Sequence, residues 1–106
     1  MKVHHIGIIV KEFKPLQDLF VGMGGKVICK DIAKRYNAIC VFIDMGNVII
    51  ELVKSKNKNQ PKEGLNHIAF YGKGKYDGAM PNMKVDFKIK NNIIIEEVEF
   101  EKNERN

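Results

Sequence analysis

A histidine-bearing apolar segment occurs twice in this chain, and this repeat constrains the fold more than any other feature. Residues 65–71 are apolar, contain β-branched and aromatic side chains and lie between two glycines, as expected of a buried strand. Residues 4–10, His-His-Ile-Gly-Ile-Ile-Val, have the same order of residue types. A Glu-bearing apolar segment follows each copy, at 47–53 and at 92–98. The sequence therefore predicts two copies of one module, each opening with a His strand and closing with a Glu strand.

The first module, residues 1–54, has the pattern of a β-α-β-β-β unit. A helix is expected over 14–22, because Pro15 suits a first helical turn and Gly24-Gly25 stops the pattern. The apolar residues of that helix recur at helical spacing: Phe13, Leu16, Phe20 and Met23. Turn residues separate the strands that we expect at 3–10, 26–33, 38–44 and 48–54.

The second module, residues 64–101, is expected to lack its helix. A polar linker, 55–63, precedes it, and a frayed tail, 102–106, follows it. The segment 72–82 carries three glycines and a proline and has no helical period. His5 and Glu51 are 46 residues apart, whereas His67 and Glu96 are only 29 apart, a difference of about one helix and one strand. Strands are expected at 65–71, 84–89 and 93–100.

These patterns predict an α+β fold in a single domain, residues 1–106, in which two βαβββ-type modules form one curled mixed sheet. Charged and apolar residues alternate along 84–89 and 97–101, so one face of the second half-sheet is expected to meet water. Apolar residues on the strands of this module still need cover, either from segment 72–82 or from a second copy of the chain: Ile68, Phe70, Ile93 and Ile95.

The composition restricts the classes of function. No apolar run is long enough to cross a membrane and no signal-peptide pattern is present, so we expect a cytoplasmic protein. The formal charge is +5, but only two arginines occur and no basic stripe alternates with aromatic residues, so nucleic-acid binding is not expected. The lysines between 54 and 62 suit either a solvated loop or an anionic small-molecule substrate. Cys29 and Cys40 are expected to be free thiols.

Four polar residues recur at matching places in the two copies: His5, Glu51, His67 and Glu96. Each alone would suit an ordinary core or surface position, but an unpaired carboxylate in such apolar strands is costly to bury. Two imidazoles and two carboxylates suit a divalent transition metal ion such as Zn, Ni, Co, Mn or Fe. A slip of one residue would exchange Glu96 for Glu97, so either could be the ligand. His4 matches Asn66 and is expected on the opposite face, in a structural role.

The repeated segments resemble the vicinal oxygen chelate superfamily, which includes glyoxalase I, methylmalonyl-CoA epimerase, extradiol dioxygenases and the bleomycin-resistance proteins. The resemblance covers nearly the whole chain and is carried by residues 4–10, Phe20 with Gly24-Gly25, 48–52, 64–70 and 93–96. It implies paired modules around a metal ion with two ligands from each module, here His5, Glu51, His67 and Glu96. The bleomycin-resistance branch lacks these ligands, so their presence favours an enzyme.

The resemblance implies a metal-dependent epimerase or isomerase that removes a proton α to a carbonyl of a small acid thioester or sugar derivative. Glu96 or Glu51 would be the catalytic base. The alternatives are a glyoxalase-I-like lyase and a non-catalytic small-molecule-binding module of the same fold. The uncovered apolar residues and the habit of the family also imply a homodimer. Neither the metal nor the substrate is specified by the sequence.

Overall fold

The computed structural model describes residues 2–59 and 61–101, and all strands in these ranges belong to one curled sheet. The elements are β1 (Val3–Ile9), α1 (Lys14–Gly22), β2 (Lys26–Ala33), β3 (Ala38–Asp44), β4 (Ile49–Ser55), β5 (Gly64–Tyr71), β6 (Tyr76–Asp77), β7 (Met83–Lys90) and β8 (Ile93–Phe100). A 3₁₀ turn, Lys34–Tyr36, joins β2 to β3. The predicted α+β class is confirmed, with two modules and a helix only in the first. The predicted frayed tail, 102–106, lies outside the described residues.

Strands β1 and β5 form an antiparallel pair at the centre of the sheet, whose order is β2-β3-β4-β1-β5-β8-β7-β6. Each central strand also runs parallel to the closing strand of its own module, β1 beside β4 and β5 beside β8. The two modules are thus related by an approximate half-turn about an axis between β1 and β5. The register follows this relation, because Gly7 lies opposite Glu51 and Ala69 lies opposite Glu96.

Helix α1 covers the outer face of the first half-sheet. Its apolar side packs against a buried cluster, most of which belongs to strands β3 and β4. The cluster consists of Val10, Val41, Ile43, Ile50 and Leu52. The helix ends where Gly24 adopts a φ of 106°, a conformation that favours glycine. No helix in the described part of the chain is long and apolar enough to cross a membrane.

The spacing of His67 and Glu96 predicted that the second module lacks both a helix and a strand, but the structure shows that a short strand is present. A strand of two residues, β6, remains and pairs with β7 at the edge of the sheet. Two residues are too few to show an alternating pattern, so this strand could not be predicted from hydrophobic periodicity. The predicted helix loss is confirmed, since segment 72–82 contains only this strand and turns.

The second half of segment 72–82 packs on the concave face of the sheet. Ala79 is buried in a cluster with Ala69, Val85 and Val98, and Met80 packs against the same cluster. Successive residues of a strand point to opposite faces. The apolar residues that alternate with this cluster lie on the other face of the sheet and form what we call the open face: Ile68, Phe70, Ile93 and Ile95. Ala79 and Met80 therefore pack on the face opposite to these residues.

Gly7 lies in the central strand directly opposite His67. A Cβ atom added to Gly7 would overlap the imidazole ring of His67, whereas a Cβ added to Gly22, at the end of α1, would meet nothing within 4 Å. The His67 ring therefore occupies space that a side chain at position 7 would fill.

Replacing Gly7 with alanine should displace the His67 ring and lower the free energy of unfolding by about 1–3 kcal/mol, the usual cost of overpacking. The control Gly22→Ala should leave that free energy unchanged or raise it by up to about 1 kcal/mol, because alanine favours helix. Urea denaturation measures both values. Equal stability of the two variants would contradict the steric role of Gly7.

Candidate metal centre

The structure brings His5, Glu51, His67 and Glu96 together on the concave face, where each is at most 6% exposed. Their positions follow from the sheet register. His5 lies opposite Ala69 across the central strand pair, and Ala69 lies opposite Glu96. By the half-turn that relates the modules, His67 lies opposite Gly7, which lies opposite Glu51. The two copies of the repeat thus each place one imidazole and one carboxylate in a common space.

The ligand atoms of this group have spacings that suit a single cation. The Nε2 atom of His5 lies 3.1 Å from Oε1 of Glu51 and 3.0 Å from Oε1 of Glu96. The Nε2 atom of His67 lies 3.0 Å from each of the same oxygens and 3.1 Å from Nε2 of His5. Ligands that lie about 2.1 Å from one ion at right angles are about 3.0 Å apart. The observed spacings therefore fit a divalent metal ion.

The hydrogen bonds within the group support the same fit. Oε1 of Glu96 is buried and has no hydrogen-bond partner, although both imidazoles are close. The Nδ1 atoms of the two imidazoles are each bonded elsewhere, that of His5 to His4 at 2.6 Å and that of His67 to Asn66 at 2.7 Å. Their Nε2 atoms therefore face the carboxylates. A buried acceptor without a donor is costly, and a cation at this point would satisfy it.

The electrostatics of the protein without a bound ion show how strongly these groups interact. Burial opposes the charged form of His67, but the hydrogen bond to Glu51 and the negative charges of Glu51 and Glu96 outweigh burial and raise its pKa to about 9. The pKa of His5 is raised against the effect of burial by the same two carboxylates. Burial also opposes the charged forms of Glu51 and Glu96, yet the imidazoles lower both carboxyl pKa values. Positive charge is therefore favoured in this space.

Glu97, the alternative to Glu96, points away from the site. Its carboxylate pairs with Nζ of Lys88 at 2.8 Å, and that contact lowers the pKa of Glu97. The ambiguity of register that the sequence left open is thus resolved in favour of Glu96 as the residue that joins the group.

The expectation that His4 lies on the opposite face, away from the site, is wrong. Its ring is hydrogen-bonded to His5, and its pKa is lowered to about 4 by burial and by the nearby His5. Strict alternation along β1 fails here because β1 has an extra residue between Val3 and His5. Asn66, which the sequence matched to His4, also contacts a member of the group.

A cavity of about 420 Å³ lies beside the four residues, and Glu51, His67 and Glu96 form part of its wall. Most of the remaining wall is apolar, and the polar side chains Asn57 and Asn59 come from the segment between β4 and β5. Tyr36 of the first module and Phe87 of the second meet edge to face, with ring centroids 5.4 Å apart. These two rings and Ala79 line the cavity. Neither aromatic residue stood out in the sequence, because each is an isolated ring without a repeated partner.

Cys40 also lines this cavity and is a free thiol. Burial, and then the negative charge of Glu51, raise the pKa of Cys40 far above its ordinary value. The thiol therefore stays protonated and can donate a hydrogen bond, but it does not offer a thiolate to a metal ion.

Comparisons with known proteins agree with this geometry. The family model described as the Glyoxalase/Bleomycin resistance protein/Dioxygenase superfamily matches residues 4–88. A hypothetical protein from Bacillus halodurans C-125 shares 20% identity and a TM-score of 0.75, over 99% of this chain and 98% of that one. No curated protein matches the sequence.

Two solved structures of methylmalonyl-CoA epimerase are also similar. The Mycobacterium tuberculosis enzyme has a TM-score of 0.79 at 12% identity, over 95% of this chain and 89% of that one. The Streptomyces coelicolor enzyme (Q60A), in complex with 2-nitronate-propionyl-CoA, has a TM-score of 0.78 at 15% identity, over 92% and 96%. At these identities the likeness concerns the fold. Because the family model matches most of the chain, this protein belongs to the Glyoxalase/Bleomycin resistance protein/Dioxygenase superfamily.

Proposed function

We propose that this protein is a metal-dependent epimerase or isomerase that removes a proton α to the carbonyl of a small acid thioester or sugar derivative. The observation that carries the proposal is the convergence of four buried ligand atoms, among them an Oε1 of Glu96 without a hydrogen bond. His5, Glu51, His67 and Glu96 would hold a divalent ion such as Zn, Ni, Co, Mn or Fe. When bound, the ion would act as a Lewis acid toward a substrate carbonyl oxygen.

Glu51 and Glu96 are the residues that we propose to move the proton. Both carboxylates line the cavity, and both have lowered pKa values, so each is ionised at neutral pH, which is the state that a general base requires. One carboxylate comes from each module, and the half-turn relation directs them at the cavity from two sides. A substrate carbon between them would lose its proton to one carboxylate and gain, on its opposite face, a proton that the other carboxylate had taken up from water, which is the requirement for epimerisation.

The surroundings of the cavity favour a substrate that carries an anionic group. Asn59 and Pro61 line the cavity and also a neighbouring groove, whose wall includes three lysines: Lys11, Lys58 and Lys62. One carboxylate, Glu63, lies in the same groove, 3.6 Å from Lys11. The excess positive charge would attract the anionic part of a substrate whose reacting end occupies the apolar cavity. A coenzyme A thioester has this division, and a related structure was solved with such a compound.

We also propose that two copies of the chain associate through the open face. Ile93 is 53% exposed, and the neighbouring Ile68, Phe70 and Ile95 are half-buried. An apolar surface of this kind is often covered by a second subunit. The cytoplasmic location stays a prediction from the sequence.

Metal binding is the first test of the proposed function. Protein stripped of metal should be stabilised by addition of Co(II), Ni(II) or Zn(II). Its free energy of unfolding should rise by about 2.7 kcal/mol when the free ion concentration is about a hundred times the dissociation constant. Glu96→Gln should weaken binding by at least about tenfold, because it removes a charged ligand at nearly constant size. Glu97→Gln is the matched control and should bind as the unchanged protein does. Equal affinities of the two variants, or no response to any of these ions, would contradict the site.

The same titration should depend on pH in a defined direction. The raised pKa of His67, about 9, means that the imidazole is protonated at neutral pH when no ion is bound. The ion must displace that proton, so affinity should rise with pH up to about 9 and then level off. Calorimetry in buffers of different ionisation enthalpy, at about pH 7, should detect release of about one proton or more per ion.

Proton abstraction is tested by exchange of solvent deuterium into the α-carbon of 2-substituted acyl thioesters of coenzyme A and of sugar derivatives. Glu51→Gln and Glu96→Gln, each assayed at saturating metal, should lower the exchange rate by about 10²–10⁴-fold, while Glu97→Gln should not. Activity on a glutathione hemithioacetal without exchange in the thioesters would indicate the lyase. Binding of the thioesters without exchange would indicate the non-catalytic module.

The proposed dimer is tested by sedimentation equilibrium. The unchanged protein should have about twice the 12.1 kDa mass of the chain, and Ile93→Glu should reduce it to that of one chain. Ile28→Glu is the control, since Ile28 is similarly exposed, at 47%, but lies on the edge strand β2 of the first module. A single-chain mass for the unchanged protein at micromolar concentration would exclude the dimer.

A further inference from the structure

The pairing of β1 with β5 is interrupted twice, and each interruption comes directly before a histidine of the site. Between Val3 and His5, strand β1 has one residue more than β5, so that His4 is bulged. Between Gly7 and Ile8 the extra residue lies on β5 and is Asn66. The half-turn that relates His5 to His67 also relates these two bulges. A β-bulge turns a side chain away from its regular direction, and such bulges are common beside functional sites.

Each bulged residue contacts the ring nitrogen of the histidine that follows it. Oδ1 of Asn66 lies 2.7 Å from Nδ1 of His67, and Nδ1 of His4 lies 2.6 Å from Nδ1 of His5. An amide oxygen can only accept a hydrogen bond, so Nδ1 of His67 is the donor. A neutral imidazole that is protonated on Nδ1 keeps the lone pair of Nε2 free, and in His67 this atom faces Glu51 at 3.0 Å.

From this geometry we propose that His4 and Asn66 are a matched pair of positioning residues, each of which accepts a hydrogen bond from the Nδ1–H of the next histidine and so presents its Nε2 to the metal ion. The inference rests on the metal site proposed above. It assigns the direction of the bond between His4 and His5, which two imidazoles leave open: His5 donates and His4 accepts.

The packing around His4 suits this role. The His4 side chain is buried, and its ring lies between those of Tyr71 and Phe100, at centroid distances of 5.2 and 5.1 Å. These contacts enclose the His4 ring beside that of His5. Asn66 is only half-buried and lines the cavity, so the two modules meet the same requirement with different side chains. Partners of this kind fix the tautomer and orientation of a ligand histidine, and their loss typically costs about 10- to 100-fold in metal affinity.

The test uses the full chain and compares variants that remove the acceptor with variants that keep it. His4→Phe and Asn66→Leu keep much of the bulk but accept no hydrogen bond, and each should weaken Co(II) and Zn(II) binding by about 10- to 100-fold. His4→Asn gives the first module the same acceptor residue as the second, and Asn66→Asp keeps a carboxylate oxygen as acceptor. The metal affinity of each variant should be within about threefold of that of the unchanged protein. Phe100→Leu loosens the packing of His4 without touching the hydrogen bond and should also stay within about threefold.

Nitrogen-15 NMR of the zinc-loaded protein provides a readout that a purely structural role would not move. The rings of His5 and His67 should both be protonated on Nδ1 and bound to zinc through Nε2. Protonation of His5 on Nε2 would mean that His4 is the donor and would overturn the proposal. So would equal affinities of His4→Phe and His4→Asn, or a loss of affinity in Phe100→Leu as large as that in His4→Phe. Failure of the unchanged protein to bind any ion would instead overturn the metal site, and the positioning role with it.

Discussion

Two carboxylates share a space that water scarcely reaches, and the rest of the structure depends on how their charge is balanced. Burying one ionised carboxylate without a partner would cost several kcal/mol, and here there are two. The two imidazoles that face them can balance that charge in two ways. They can be protonated and carry positive charge themselves, or they can bind a metal ion together with the carboxylates. The raised pKa of His67 describes the first state, and the ligand spacings suit the second. A fold that did not bring all four residues together would leave a buried charge unpaired.

The approximate half-turn between the modules explains how a small chain meets this requirement. Each module supplies the same set, a histidine from its first strand and a glutamate from its last, so one solution in sequence is used twice. The relation is not complete, because position 7 is glycine and the equivalent position 69 is alanine. The helix also covers only the first half-sheet. Tyr36, Phe87 and Ala79 nevertheless supply part of the cavity wall, and the rings of Tyr36 and Phe87 meet edge to face.

Much of this could be predicted from the sequence because the repeat carried the information. The matching positions of His5 and His67, and of Glu51 and Glu96, in the two copies are enough to predict that the four side chains meet. The conformation of His4 could not be predicted, because a bulge of one residue leaves the pattern of residue types unchanged while it reverses the facing of a side chain. The path of segment 72–82 could not be predicted from the sequence either. Glycines and a proline indicate that a helix is absent, but they do not say which face of the sheet Ala79 will cover.

The division of ligands between the modules has a consequence for the stability of the chain. His5 and His67 are separated by 62 residues, and Cys29 and Cys40 are free thiols, so within the described residues no disulfide joins the two halves. An ion held by two ligands from each half would act as a reversible cross-link across the centre of the sheet. Such a link removes freedom from the unfolded chain in proportion to the logarithm of the loop that it closes. Metal supply would then govern how much of this protein survives in its folded form, in addition to whether it can act on a substrate.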